Sequence, residues 1–179
     1  MTVISSANLK YYYSQGGGSS DGGATGNAAG SLGGYRSSTV VTGSVNQIFG
    51  DVSGDDAAAG KVYYRCIFVR NEDANAGGWI NPYAWIDEQV TPTDANDVIA
   101  IGLDPAGKST EAAIIANENA APAGVSFTTP LTKAGGLALP TSPYAQNAYI
   151  AIWIRRTIGA GASAAGPAAS IRVEGDSGA

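Results

Sequence analysis

The segment Lys61 to Asn71, KVYYRCIFVRN, limits the possible folds more than any other part of the chain. On an extended backbone Val62, Tyr64, Cys66 and Phe68 fall on one side, and Tyr63, Arg65, Ile67 and Val69 on the other. Both rows are largely apolar. Such a strand must be central and covered on both faces, with Arg65 reaching an edge or a carboxylate. Cys66, between Tyr64 and Phe68, reads as a small core residue.

Further strands follow the same logic. Leu9 to Tyr13, Thr39 to Val41, Val45 to Phe49, Trp79 to Ile86, Val98 to Leu103, Tyr149 to Arg156 and Ala169 to Val173 carry β-branched and aromatic residues between turn signals. Pro82 confines its strand to an edge or a kink. Gly124 to Thr128 reads as another short strand, and Glu111 to Asn119 fits strand or helical turn, with strand preferred. No helix of ordinary length is indicated. The expected fold is therefore all-β, a single antiparallel β-sandwich of jelly-roll or immunoglobulin-like type.

Glycine is unevenly placed. The chain holds 25 glycines and eight prolines in 179 residues, and Ser14 to Gly34 is almost entirely Gly, Ser, Ala, Asn, Thr or Asp, a composition unable to bury enough apolar area to fold alone. Two units are expected: residues 1–37, a strand and an extended Gly/Ser-rich N-terminal arm, and residues 38–179, the sandwich body. The arm reads as a linker or as a segment ordered by a neighbouring subunit.

Composition also narrows function. Histidine is absent, which removes the commonest general base and metal ligand. A single cysteine forms neither an internal disulfide nor a thiolate zinc site. Fifteen acidic residues against ten basic give a net charge of −5, without a basic run, which argues against nucleic-acid binding. No apolar stretch approaches membrane-spanning length, and the first residues do not resemble a signal peptide. Asp87-Glu88, or the pair Glu111 and Glu118, could supply the two carboxyl groups of glycosidase-type chemistry, but solvated loop charge is the preferred reading. Asp51, Asp55 and Asp56, or Asp94, Asp97 and Asp104, offer oxygen ligands of the kind that suit a calcium ion, but turn formation explains them more simply. Gly16-Gly17-Gly18, Gly22-Gly23 and Gly107-Lys108-Ser109 lack the phosphate-loop spacing. The chain is read as a non-enzyme with no cofactor.

Aromatics outnumber ionic motifs. Trp85 and Trp153 sit within strand patterns and read as core; Trp79, beside Gly77-Gly78, is the tryptophan expected to be exposed. Stacking on sugar rings is thus a second class of function.

Several stretches resemble small structural proteins of tailed bacteriophages. They are Ser31-Leu32-Gly33-Gly34 with Ser37-Ser38-Thr39; Asp51 to Asp55 through Gly60 to Tyr64-Arg65-Cys66-Ile67; and Ile101 to Gly107. Ala116-Asn117-Glu118 with Ala121 to Phe127, and Ala151 to Thr157 followed by Arg172 to Asp176, continue the order. Together they span Leu32 to Asp176. The resemblance implies a virion protein assembled in the host cytoplasm, first a capsid decoration or cement protein bound to the major capsid protein and to copies of itself. A homo-oligomer, for instance a trimer, is the expected state, with neither nucleic acid nor membrane as partner. A tail or baseplate component is the second reading and a carbohydrate-binding fibre domain the third. Tyr11, Tyr12, Tyr13, Tyr35 and Trp79 are the expected partner contacts, the tyrosines acting from the arm.

Overall fold

The structure, a computed structural model, describes residues 8–43, 47–51, 53–74, 77–89, 97–161 and 169–177. The elements are β1 (Leu9–Ser14), β2 (Arg36–Val40), α1 (Gly54–Ala59), β3 (Lys61–Asn71), β4 (Trp79–Gln89), β5 (Asp97–Leu103), β6 (Leu137–Ala138), β7 (Tyr149–Ile158) and β8 (Ala169–Ser177). The fold is all-β, with one six-residue helix. Five strands form one sheet in the order β2-β1-β3-β7-β5, and three form a second in the order β6-β4-β8, all paired antiparallel.

The longest ladder joins β3 to β7, from Lys61 opposite Ile158 to Arg70 opposite Tyr149. Both strands are flanked on each side, as the two-faced pattern of Lys61 to Asn71 requires. Ile67 and Val69 of β3 and Ile150, Ile152 and Ile154 of β7 face inward, where they meet Ile86 and Val173 of the smaller sheet in one core. Cys66, Phe68 and Trp153 point to the opposite face, and there the cover is not a sheet. Leu32, Ala112, Ile115, Val125 and Phe127, all from irregular segments, close over them.

Glycines make this loop layer possible. Gly33 has φ +94, and a Cβ on it would fall on the Ala113 carbonyl oxygen; Gly34 has φ +75 and a Cβ there would lie 2.8 Å from the Gly17 nitrogen. Backbone can approach backbone only because no side chain intervenes. Gly34 and Ala112 exchange two backbone hydrogen bonds of 3.1 and 3.0 Å, Ile115 N–H donates to Leu32 at 3.0 Å, and Cys66 N–H donates up to Ser31 at 2.8 Å. Arg36, buried, ties the layer further, donating to Asp21 at 2.9 Å while its guanidinium lies 4.6 Å from the centroid of the Tyr12 ring.

These contacts correct several expectations. Over its described residues 8–37, the stretch expected as an extended arm lies against the body: β1 is an interior strand between β2 and β3, and β2 straddles the expected boundary at residue 37. Leu32 supplies the apolar anchor that a count of glycines conceals. Glu111 to Asn119 is neither strand nor helix, because its backbone groups pair one at a time, Ala112 and Ile115 with the glycine loop and Glu118 with Tyr64. Gly124 to Thr128 makes a single bridge, Thr128 with Ile101, instead of a strand. Of Val45 to Phe49, residues 45 and 46 lie outside the described residues and 47–49 form a bend. Pro82 is tolerated inside β4 because a bulge falls between Ile80 and Tyr83.

Candidate functional site

A polar concavity lies where β3 begins and β7 ends. It is a cleft of about 160 Å³ walled by Phe49, Gly50, Asp56, Tyr63, Arg65, Glu118 and Arg156, among others. β3 and β7 are antiparallel with Tyr63 opposite Arg156 and Tyr64 opposite Arg155, so ladder register alone brings Tyr63 beside Arg156. α1 closes one side, its start fixed by the Ser53 hydroxyl accepting from Asp56 N–H at 3.1 Å.

Arg156 and Asp97 form its buried foundation. Nε donates to Asp97 Oδ1 at 3.0 Å and Nη2 to Oδ2 at 2.6 Å, while Nη1 donates to the Gly50 carbonyl at 2.7 Å. A two-pronged charge-assisted pair of this kind fixes a loop in place. Arg65 is likewise paired with Glu118, and its guanidinium lies 5.9 Å from the Phe49 ring centroid. Burial and the hydrogen bond to Asp56 push the Tyr63 phenol up to about 12. Asp56 is in turn held below the usual aspartate range by Tyr63 and then by Ser53. The guanidiniums are matched by carboxylates, so the arrangement fastens α1, Gly50 and the Glu118 loop to the sheet.

The carboxylates singled out from sequence have similar positions. Asp97 belongs to the Arg156 pair. Asp104 accepts from Trp153 Nε1 at 2.9 Å and from the backbone N–H groups of Ala106 and Ala113 at 2.9 and 3.0 Å, which joins the β5 exit to the loop layer. Asp94 lies outside the described residues. Among the described residues no three of His, Cys, Asp or Glu are grouped as metal ligands would be. Asp87 accepts from Trp85 Nε1 and from Arg172, each at 3.2 Å. Lys108 donates to the Thr141 and Pro143 carbonyls at 2.8 and 3.1 Å, which staples a turn.

The five expected partner contacts are dispersed. Trp79, expected to be exposed, is 1% exposed and packs edge-on against Tyr144 with centroids 5.7 Å apart. Its neighbouring glycines open no surface there, because Trp79 and Tyr144 exchange backbone hydrogen bonds of 2.9 and 2.8 Å. Tyr12 is buried under Arg36 with its hydroxyl on Glu72, and Tyr13 is buried with its hydroxyl donating to Gln47 at 3.1 Å. Tyr11 packs half-buried against the inter-sheet core, where burial pushes its phenol up to about 12. Tyr35 is half-buried in the glycine layer. The three consecutive tyrosines therefore serve the two faces of one strand and form no adhesive patch.

No family model, curated protein or solved structure matches the chain. Trp85 and Trp153 are buried as well, at 5% and 0% exposure, so no tryptophan is available as an open stacking surface.

Proposed function

We propose that this chain is a non-enzymatic structural protein of a tailed-phage virion, most specifically a capsid decoration or cement protein that binds the major capsid protein shell. The observation that carries the reading is the loop layer. Segments that resemble phage structural proteins contribute to the cover of the large sheet: Ser31 to Gly34 and Ala121 to Phe127 supply Leu32, Val125 and Phe127, Ser31 accepts from Cys66 N–H, and Glu118 pairs with Arg65. The chain uses these segments for rigidity, and its cleft carboxylates for fastening loops, which suits a protein whose task is to present a fixed shape. The fold that goes with this reading is a β-sandwich of jelly-roll or immunoglobulin-like type, supported by the core the two sheets share.

Residues 8–34 contribute shape as part of the body, and docking to the shell uses its outer surface. Purified protein added to shells that lack it should bind at saturable copy number and raise the temperature at which the shells open. Labelled protein should distribute over the whole head. Signal confined to one pole would favour the tail or baseplate, and no association with particles would remove the virion reading.

A further inference from the structure

The arginines are not equally matched. Arg36, Arg65, Arg70, Arg156 and Arg172 each face a carboxylate within salt-bridge distance. Among the described residues Arg155 faces none and finds no hydrogen-bond acceptor; its guanidinium lies 5.2 Å from the centroid of the Phe127 ring. Its Nε is buried without a partner. The same nitrogen is unpartnered in Arg36, Arg65 and Arg70, but there the other guanidinium nitrogens reach a carboxylate, so their charge is compensated.

Register explains where this side chain stands. Arg155 lies opposite Tyr64 of β3 and Ala100 of β5, and the next row toward the strand ends is Val62, Thr157 and Val98. Directly opposed residues share a face, and two residues along β3 and β7 in the other direction stand Cys66 and Trp153. Both rows therefore belong to the face that the loop layer covers. That cover closes over Cys66, Phe68 and Trp153 and reaches Tyr64 through Phe127, whose ring centroid is 5.5 Å from that of Tyr64. Val62, Tyr64, Val98, Arg155 and Thr157 are left half-buried, and Val62 and Val98 belong to none of the apolar clusters of the described residues. The sheet thus presents a partly covered apolar strip with one uncompensated cation beside two aromatic rings.

An arginine held against an aromatic ring, half out of water and without a counter-charge, has the character of an interface anchor. Its partner must bring an acceptor, and a planar guanidinium matches a carboxylate in two-pronged fashion. A phosphate polymer suits the strip less well, because a single cation stands here on a chain of net charge −5. We infer that this strip is a docking site for a protein segment that presents an aspartate or glutamate to Arg155 and an apolar side chain to Val62 and Val98. The inference rests on the virion reading for the owner of that segment, the shell protein.

Co-sedimentation of the purified chain with shells that lack it tests the site. Arg155→Gln should weaken binding about tenfold and Arg155→Glu about thirtyfold, while Arg155→Lys, which keeps the charge without the fork, should fall between Arg155→Gln and wild type. All three should melt as the wild type does, because no carboxylate or acceptor of the described residues relies on Arg155. Arg172→Gln, on the other sheet, should bind as wild type. A wild type that does not sediment with shells removes the virion reading and this site with it. Wild-type binding left intact by Arg155→Glu overturns the site alone, and so does an equal loss in Arg172→Gln, since bulk charge would then account for the effect. Early melting of every Arg155 variant would make the residue a structural prop, and dimerisation of the wild type that Arg155→Glu abolishes would give the strip to a second copy of this chain; either result overturns the proposal.

Discussion

Asp97 and Arg156 show how strongly a single pair can determine the local order of this molecule. Their side chains are 1% and 6% exposed, and together they hold Gly50 through the third guanidinium nitrogen. Removing one partner leaves a buried charge without compensation, so Asp97→Asn should lower stability by about 3 kcal/mol in urea denaturation. Replacing both, as Asp97→Leu with Arg156→Met, should cost less than the sum of the single changes, because no orphaned charge remains. Equal and additive losses would show that the pair contributes packing alone. The phenols give a second test at this scale. Tyr11 and Tyr63 are pushed up to about 12, chiefly by burial, while in the unfolded chain they ionise near about 10. The folded state therefore holds their protons more tightly, and stability conferred below about pH 10 is lost as pH rises toward 12. Absorbance titration near 295 nm should show a late-titrating class of tyrosines, merging with unfolding. Full titration near pH 10 with the fold intact would contradict that burial.

At the scale of elements, the glycine loop is the part that composition conceals. Lys61 to Asn71, Tyr149 to Arg156 and Trp79 to Ile86 were legible as strands because a period of two is written into their apolar residues. The cover over Cys66 and Trp153 was not legible, because loop-to-sheet packing has no period. Its anchors, Leu32, Ala112 and Ile115, are single apolar residues set among small ones. The cleft is half legible: Arg65 within an apolar row points to an edge or a carboxylate, and only the fold identifies the partner as Glu118 from 53 residues away. The burial of Trp79 is not legible, because adjacent glycines signal a turn without saying which side of the turn is buried. The loop's dependence on missing side chains gives a direct test. Gly33→Ala adds a Cβ against the Ala113 carbonyl at a positive φ, so it should cost about 2 kcal/mol or more and make residues 15–34 susceptible to limited proteolysis. Gly43→Ala, with φ +82 but nothing within 4 Å of the added carbon, isolates the conformational part of that cost.

For the molecule as a whole, the question is whether the N-terminal stretch can be separated from the rest. Composition suggests that residues 1–34 could be deleted from a self-sufficient body. The architecture indicates otherwise. β1 pairs with β3 from Leu9 opposite Asn71 to Tyr13 opposite Ile67, and it carries β2 on its other side, so its loss strips two strands' worth of pairing from the large sheet. Deletion would also expose β3 as a long apolar edge, an invitation to aggregation, and uncover Cys66 and Phe68, which have 0% exposure in the intact chain. Tyr11 would leave the inter-sheet core at the same time, together with its bond to Val173, so the smaller sheet would lose support as well. The chain lacking residues 1–34 should therefore show no cooperative thermal transition and should bind hydrophobic dye or aggregate, whereas the full chain should melt in a single step that far-UV dichroism and tryptophan fluorescence report together. A truncated protein that remains monomeric and unfolds cooperatively would establish residues 35–179 as an independent body and return the N-terminal stretch to the status of an arm.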